Sequence, residues 1–491
     1  MSCPLIGTMI MHISIIGSVP RFVTIHAVLL ALLMGPGCAS LDPDRELKAT
    51  AEATRRVSEN IDPAEAWSLP VEGESPAWNG ADSLTYEAAV AVSLQGNPGI
   101  RRNLAVVVER RAWYVQEGLP PNPTVGFGIG IAVDGMSGAP MMVQGLQMLS
   151  WLWKNPHRVA AAEAELRAAV YDAAFGCVDV TMRTRTQMAA VLAAQDLLRY
   201  DLTYTDITDQ TVRLVEAQVE AGELPALELD RAQLEHQEAI ESVVASEYSL
   251  EQAKLALLGT MGRPTDSTSW VAAGELPPVW NIPDDERTLL ELAITGRLDI
   301  ASAREAVLKI QAELGLAETE KFPEIGIGLG YRRNAGDRKS VSPEMKITVP
   351  ILDNGDPAIA IQTARLDAAL MELLATIENA QAGVLTSLSR YEQSRDRARL
   401  IRTQQLKIAR TAQQRSDAAF REGVVDLNTL LMTQRQLIAV ERNLVLQELM
   451  TMEAMCELRT SVGGSFDPTL DAAPIIVIEA KSSDSGQEES S

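Results

Sequence analysis

A patterned stretch of this chain recurs, with the same proline and glycines, at a spacing of 200 residues. Residues 123–130, PTVGFGIG, reappear as residues 323–330, PEIGIGLG, and Gly96 has its counterpart in Gly296. Farther along, the spacing becomes 201 residues, linking Gly222, Leu229 and Gln233 to Gly423, Leu430 and Gln434. An offset of 200 to 201 residues, kept over about 140 residues, indicates a duplicated structural unit. Its length is too great for a solenoid repeat, so we expect two halves of one architecture.

The composition favours helices. Only 4% of the 491 residues are aromatic, and Ala, Leu, Glu, Gln and Arg are abundant, which is typical of long helices packed through small side chains. The formal net charge of −23 argues against a nucleic-acid partner, because binding a phosphate backbone requires clustered Lys and Arg.

The N-terminal region resembles an export signal. An apolar run at residues 22–34 follows Arg21 and is shorter than a membrane-spanning helix needs to be. It leads into Gly37-Cys38-Ala39, where Cys38 is similar to the acylated cysteine of a bacterial lipoprotein, although Gly35 and Pro36 depart from that pattern. Cleavage by an ordinary signal peptidase and an incidental thiol are the alternatives. In long helical segments, Cys177 and Cys456 are expected to be small buried hydrophobic residues.

The spacing of the prolines predicts very long helices. None occurs between Pro156 and Pro225, or between Pro357 and Pro468. We therefore predict helices over residues 157–221 and 358–422, each roughly 100 Å long at 1.5 Å per residue. Each ends at a glycine and is followed by a second helix, from about Leu227 and Leu427, so each half contains a long helical hairpin.

These features divide the chain into successive segments. The predicted segments are a signal peptide at 1–37, an extended lead at 38–83, a first repeat at 84–262, a linker at 263–284, a second repeat at 285–465 and a tail at 466–491 that is disordered at its end. Each repeat is expected to hold a helix, a strand pair (123–150 or 323–350) and a helical hairpin with its tip at 220–226 or 421–427.

The glycine-rich segments alternate large apolar residues with small or polar ones, as strands with two unlike faces do. The predicted apolar face consists of Val125, Phe127, Ile129, Ile131, Ile325, Ile327, Leu329, Met345, Ile347 and Val349. The segment 141–150 alternates least clearly. A soluble sandwich is the commoner source of such a pattern, but about four strands are too few for one. Strands of a membrane barrel with an aqueous lumen fit better, and because four strands cannot close a barrel, several subunits must pool theirs.

Several motifs together resemble the TolC-like outer-membrane efflux protein family. They are the opening LTYEAAV at 84–90 with Asn97-Pro98, the entry LPPNP at 119–123 to the glycine strand, and the strand-to-helix junction VPILDNG at 349–355. The resemblance covers nearly the whole predicted mature chain. It implies a mainly α fold with a small transmembrane β part, in which a homotrimer forms an α-barrel and a shared twelve-stranded β-barrel. The implied function is a passive exit duct in the outer membrane, docked to a periplasmic adaptor and an inner-membrane pump.

The same resemblance assigns roles to the hairpin turns. They would form the periplasmic tips that meet the adaptor, through Gly222, Glu223 and Leu224 in the first half and Gly423, Val424 and Val425 in the second. Family members often narrow this end with an acidic ring, for which Glu228, Asp230 and Asp426 are the candidates here. A solvated outer helix face is the alternative for these three carboxylates.

Other activities have little support. Gly126-Phe127-Gly128 begins like a dinucleotide motif, but Ile131 stands where the third glycine belongs. The four histidines are scattered, so no metal or other cofactor is expected, and Glu235-His236 is interpreted as a polar pair on the solvent-facing side of a helix. The remaining alternative to a duct is a soluble periplasmic or envelope coiled-coil scaffold without channel activity.

Overall fold

The structure is a computed structural model, and it describes residues 41–58, 62–67, 78, 80, 82–131, 139–274, 280, 282–283 and 285–466. The predicted signal peptide, Cys38 and the predicted C-terminal tail after Phe466 lie outside the described residues.

The first half runs from short helices through two strands into a long hairpin. Its elements are α1 (Asp44–Ser58), α2 (Pro63–Trp67), α3 (Tyr86–Gly96), α4 (Pro98–Gly118), β1 (Thr124–Ile129), β2 (Met141–Met148), α5 (Trp151–Glu220) and α6 (Ala226–Thr260). The break between α3 and α4 falls at Asn97, and the Asn97 side chain caps α4 by accepting from the amide of Gly99 at 2.8 Å.

The second half repeats this order. Its elements are α7 (Glu286–Gly296), α8 (Leu298–Glu318), β3 (Glu324–Arg333), β4 (Lys339–Thr348), α9 (Asp356–Leu400), a π-helical turn (Ile401–Gln405), α10 (Leu406–Arg421) and α11 (Leu427–Ser461). The four strands form one antiparallel sheet in the order β1-β2-β3-β4. The predicted fold class, mainly helical with four antiparallel strands, is confirmed.

The extended lead predicted for residues 38–83 is wrong in part, because helix α1 occupies Asp44–Ser58. Its sequence is polar on average, and the buried face is built from small residues such as Ala51 and Ala53 and from Thr50 and Thr54. Each of those threonine hydroxyls donates to the backbone carbonyl four residues earlier, which satisfies the hydroxyl inside the packed layer. The resulting face is buried without being strongly hydrophobic.

The centre of the core is α5, which begins at Trp151 rather than at the predicted residue 157. Pro156 is accommodated near the helix start, where it forfeits one backbone hydrogen bond. Along α5, a buried stripe of small and branched residues packs against α8 and α11, as Ala173, Ala174 and Val178 illustrate.

Both described cysteines are buried, as expected from the sequence. Burial raises the pKa of the Cys177 thiol to about 12, so this thiol stays protonated at neutral pH. Burial also raises the pKa of Cys456. The described helices include none that combines the length and apolar character required to cross a membrane.

The π-helical turn accounts for the change of repeat spacing. The two halves match at 200 residues as far as Ala169 and Ala369, and at 201 residues from Gly222 and Gly423 onward. The second half therefore holds one extra residue between these points, within the stretch that includes Ile401–Gln405. Because a π-helical turn contains one residue more than an α-helical turn, it accommodates such an insertion without shifting the helix faces beyond it.

Each half is closed by a contact between two glycines. The end of α6 meets the end of α3, so closely that a Cβ on Gly262 would lie 2.4 Å from the carbonyl oxygen of Gly96. At the equivalent corner of the second half, a Cβ on Gly463 would lie 2.7 Å from the carbonyl oxygen of Gly296. Gly262 and Gly463 also have positive φ, of 75° and 93°. Neither position accepts a side chain without moving backbone.

Replacing Gly262 with Ala is therefore expected to destabilise the protein by at least about 1–3 kcal/mol, from the positive φ alone. Thermal unfolding of the purified protein in detergent measures this. Gly259→Ala is the matched control, because Gly259 is exposed, helical and faces open space. It should leave stability unchanged or raise it by up to about 1 kcal/mol. Equal effects of both substitutions would contradict the importance of this corner.

Candidate functional site

The register of the sheet brings the predicted apolar residues to one face. Val125 pairs with Gly145, which pairs with Leu329, and Leu329 pairs with Pro343. Directly paired residues share a face, and alternate residues along each strand share it too. We call this surface the apolar sheet face. On it lie Val125, Phe127, Ile129, Met141, Val143, Ile325, Ile327, Leu329, Tyr331, Val341, Met345 and Ile347.

Most of these side chains are open to the surroundings. Seven of the ten predicted apolar residues, Val125, Phe127, Ile129, Ile327, Leu329, Met345 and Ile347, are 45–71% exposed. Ile325 is half-buried, and Ile131 and Val349 are exposed just beyond the strand ends. A contiguous exposed apolar surface of this extent is typical of a protein or membrane interaction site.

The opposite sheet face, predicted to carry small or polar residues, also carries larger apolar side chains. Glycines line it in β1 and β3, but larger side chains of β2 lie across them. The Cδ1 atom of Leu146 would be 3.3 Å from a Cβ on either Gly326 or Gly328, and Gln144 would be 2.9 Å from a Cβ on Gly126. The glycines of β1 and β3 thus leave space for the side chains of β2 between them. This also explains why β2 alternates poorly, since it places apolar residues on both faces.

The two helical tips have nearly identical geometry. Gly222 and Gly423 adopt φ of 76° and 71°, and the next residue in each tip, Glu223 or Val424, donates its amide to a carbonyl five residues earlier at 2.8 Å. This is the bonding pattern of a glycine-terminated helix. Both glycines, Glu223 and Val424 are exposed, with Val424 at 72%.

Beneath the exposed turns, the tips of the two halves pack on each other. Leu224 and Val425 are partly buried against a shared apolar cluster. The buried members of this cluster are Val215, Ala232, Phe420, Leu427, Leu430 and Leu431. The predicted docking residues are therefore brought together in pairs, with one apolar side chain of each tip anchoring the turn.

The three candidate gate carboxylates have different surroundings. Asp426 is the N-cap of α11 and accepts from the amide of Thr429 at 2.9 Å; hydrogen bonds from Thr429 lower the pKa of Asp426. Glu228 pairs with Arg231 at 3.0 Å, and the charge of Arg231 also acts on Asp426. Asp230 is exposed. Arg231, which sequence reasoning did not single out, thus contacts one candidate and acts on another only through its charge.

A buried ion pair that the sequence analysis missed joins the two hairpins. Asp201 of α5 is 2% exposed and accepts hydrogen bonds from Ser246 of α6 and from Arg442 of α11. Burying a carboxylate is costly unless such hydrogen-bonding and charged partners accompany it. The contact therefore ties the hairpin of the first half to the last helix of the second.

A second cross-hairpin pair lies closer to the tips. Glu235, also 2% exposed, forms an ion pair with Arg435 and accepts a hydrogen bond from Tyr204. Burial, reinforced by Glu235, raises the pKa of Tyr204, so its hydroxyl stays protonated and donates. The interpretation of Glu235-His236 as a solvent-facing polar pair is wrong for Glu235. His236 is partly buried, with Nδ1 3.1 Å from the hydroxyl of Thr208.

Arg435 and Arg442 lie seven residues apart and hence on one side of α11, which is the only sequence signal that could have revealed these contacts. Their partners come from two other helices, so no local pattern pairs them. Charged residues on long helices are usually solvated, and these carboxylates are exceptions only because the two hairpins pack together.

Arg442→Gln should destabilise the protein by roughly 1–3 kcal/mol, because it leaves Asp201 buried with one hydrogen-bond donor fewer. A double-mutant cycle with Asp201→Asn, read by unfolding in detergent, measures the coupling. Arg402→Gln is the control, since its pair with Glu448 is exposed on the arginine side and should contribute under about 1 kcal/mol. A coupling near zero for Asp201 and Arg442 would exclude the proposed link.

The geometry defines a class: a duplicated helical protein with a small sheet whose one face is apolar and exposed. A sequence model described as outer membrane efflux protein matches residues 289–464. The chain is 23% identical over 285 residues to the cobalt-zinc-cadmium resistance protein CzcC of Cupriavidus metallidurans, covering 58% of this chain and 68% of that protein. It is 26% identical over 329 residues to the pyoverdine export outer membrane protein OpmQ of Pseudomonas aeruginosa, covering 62% and 66%.

Comparison with solved structures points to the same group of proteins. The solved structure of the outer-membrane channel OprN superposes with a TM-score of 0.67 at 20% identity, covering 78% of this chain and 90% of that one. The predicted resemblance to the TolC-like outer-membrane efflux protein family is confirmed by these findings. The proteins of this family and the similar structures are channel proteins rather than enzymes.

Proposed function

We propose that this chain is the outer-membrane exit duct of a tripartite efflux or secretion system. Three copies would form a passive channel across the outer membrane and the periplasm. The observation that carries the proposal is the apolar sheet face, exposed over four strands of a chain that resembles outer membrane efflux proteins. A soluble scaffold would leave this face in water, which is unfavourable at about 25 cal/mol per Å² of apolar surface.

Pooling of strands follows from the free edges of the sheet. β1 and β4 are the outermost strands in the described sheet, and each presents unpaired backbone groups on one side. In lipid such groups must be paired, which a closed barrel achieves by joining β4 of one copy to β1 of the next. The smallest barrels need about eight strands, so one copy is insufficient. A trimer gives the twelve strands implied by the family.

The tips are the proposed docking surface for a periplasmic adaptor, which would connect the duct to an inner-membrane pump. Gly222, Glu223, Gly423 and Val424 are exposed there, while the cluster beneath them holds the two turns side by side. A rigid pair of turns offers a partner a surface that loses little conformational freedom on binding. The cargo would be selected by the pump.

The membrane role of the sheet predicts a face-dependent effect of charge. Leu329→Arg, on the apolar sheet face, should oppose insertion by about 2–4 kcal/mol near the middle of a bilayer. Ser342→Arg is the matched control, because Ser342 is one residue along from the partner of Leu329 and belongs to the other face. Outer-membrane fractionation and single-channel recording in planar bilayers report the outcome. Monomeric wild-type protein that stays in solution without detergent would overturn the proposal.

Asp426 is proposed to contribute negative charge to the pore at the tips, together with Glu228 and Asp230. Three copies of Asp426 around one axis would attract cations. Because Asp426 also caps α11, two variants are needed. Asp426→Asn keeps a good capping group but removes the charge, whereas Asp426→Ala removes both. We expect both to lower the cation-to-anion permeability ratio. A lower permeability ratio in Asp426→Ala but not in Asp426→Asn would mean that Asp426 acts only as a helix cap. An unchanged ratio in both variants would refute the pore role.

Export to the outer membrane with acylation at Cys38 completes the proposal. It is supported by the apolar run at residues 22–34 and the small residues around Cys38. Labelled palmitate should enter the wild-type protein but not Cys38→Ser. Incorporation that persists in the variant would place the acyl group elsewhere.

A further inference from the structure

The end of the sheet farthest from the helices carries four basic residues. Arg332 and Arg333 end β3, and Arg338 and Lys339 lead into β4. At the opposite end of the sheet, Glu324 contacts Lys154 of α5 at 2.9 Å, which shows where the helices begin. The positive cluster stands out because the chain as a whole has a net charge of −23. The connection between β1 and β2, residues 130–140, contains no Lys or Arg in its sequence.

Two of these cations continue the apolar sheet face. Arg333 is directly paired with Lys339, one row beyond the pair formed by Tyr331 and Val341. Alternate residues share a face, so Arg333 and Lys339 lie on the same side as Leu329 and the other exposed apolar residues. Arg332 belongs to the other face, where its guanidinium lies 3.7 Å from the sulfur of Met142. An aromatic residue followed by cations is the order expected where a strand leaves the hydrocarbon layer.

The pairing of Arg333 with Lys339 is unfavourable by itself, since like charges directly opposite each other destabilise a sheet. Among the described residues, the carboxylate that contacts this pair is that of Asp337, which lies 4.0 Å from Arg333 and is largely exposed. A contact of that length between solvated groups contributes little. The pair is therefore short of negative charge.

The turn nevertheless holds the two cations in place. The side-chain oxygen of Asn334 accepts from the amides of Gly336 and Arg338, at 3.1 and 2.9 Å. The backbone amide of Asn334 donates to the carbonyl of Arg338 at 3.0 Å. These bonds fix the backbone of the turn, so the backbone positions of Arg333 and Lys339 are set before any anion binds.

We infer that Arg333 and Lys339, assisted by Arg338, bind the anionic phosphate of a membrane lipid headgroup. The inference rests on the proposed function, because it requires that the apolar sheet face lies in lipid. Arginine matches phosphate oxygens with a planar pair of donors, and the neighbouring lysine adds a second charge. The apolar rows below would contact the acyl chains of the same lipid. A trimer would carry three such sites.

The test compares lipids on the purified full-length protein in detergent. Phosphatidylglycerol should raise the thermal unfolding midpoint of the wild type by at least about 3 °C more than phosphatidylcholine at the same mole fraction, because a ligand of the folded state stabilises it. Arg333→Gln with Lys339→Gln should abolish most of this difference. Without added lipid this double variant should be as stable as the wild type or more so, since it removes a like-charge pair.

Lys346→Gln with Lys407→Gln is the matched control, because it removes two exposed positive charges elsewhere and should keep the full lipid effect. An undiminished effect in the Arg333 and Lys339 variant would overturn the inference. So would inorganic phosphate that stabilises the wild type as well as the lipid does, since that would indicate a general anion site. Planar-bilayer conductance separates the two proposals: a conducting wild type without lipid preference rejects only the headgroup site.

Discussion

The pairing register of four short strands is the constraint on which this structure depends. Side chains in a strand alternate strictly, so a shift of one residue in any strand would carry its apolar set to the other face. The observed register instead aligns Val125, Gly145, Leu329 and Pro343 in one row across all four strands. The next row on one side consists of Phe127, Val143, Tyr331 and Val341, and on the other side Ile327 and Met345 lie beside Gln147. An apolar surface built this way is stable only where water does not reach it.

The helices of the two halves are also joined to each other. Each half sends a long hairpin away from the sheet and folds its end back against a short helix through a glycine corner. The hairpins of the two halves are then joined at two levels: by the apolar cluster beneath the tips and by the buried carboxylates of Asp201 and Glu235 with their arginines. At Asp201 and Glu235, the buried negative charge of the first half is neutralised by an arginine of the second half.

Periodicity and symmetry made much of this predictable from the sequence. The repeat of PTVGFGIG located both strand pairs, the proline gaps located the long helices, and Gly222 and Gly423 located their ends. The predictions that were wrong or incomplete concern residues whose surroundings come from distant segments of the chain. Helix α1 was missed because its buried face is made of Ala and Thr rather than large apolar residues. β2 was the least regular strand because it fills the space above glycines in its neighbours. Glu235 was predicted to be solvated because its partner, Arg435, lies in the other half of the chain.

The π-helical turn at Ile401–Gln405 bears on how the two halves diverged. In an α-helix each added residue turns everything that follows by about 100°. One inserted residue in a regular α-helix would therefore have rotated Arg435, Arg442 and the second tip away from their partners. The wider π-helical turn accommodates the extra residue without this rotation. The turn acts as a phase correction in the second half. It explains how a duplicated gene can tolerate unequal lengths in its copies while the distal ends of both hairpins stay aligned.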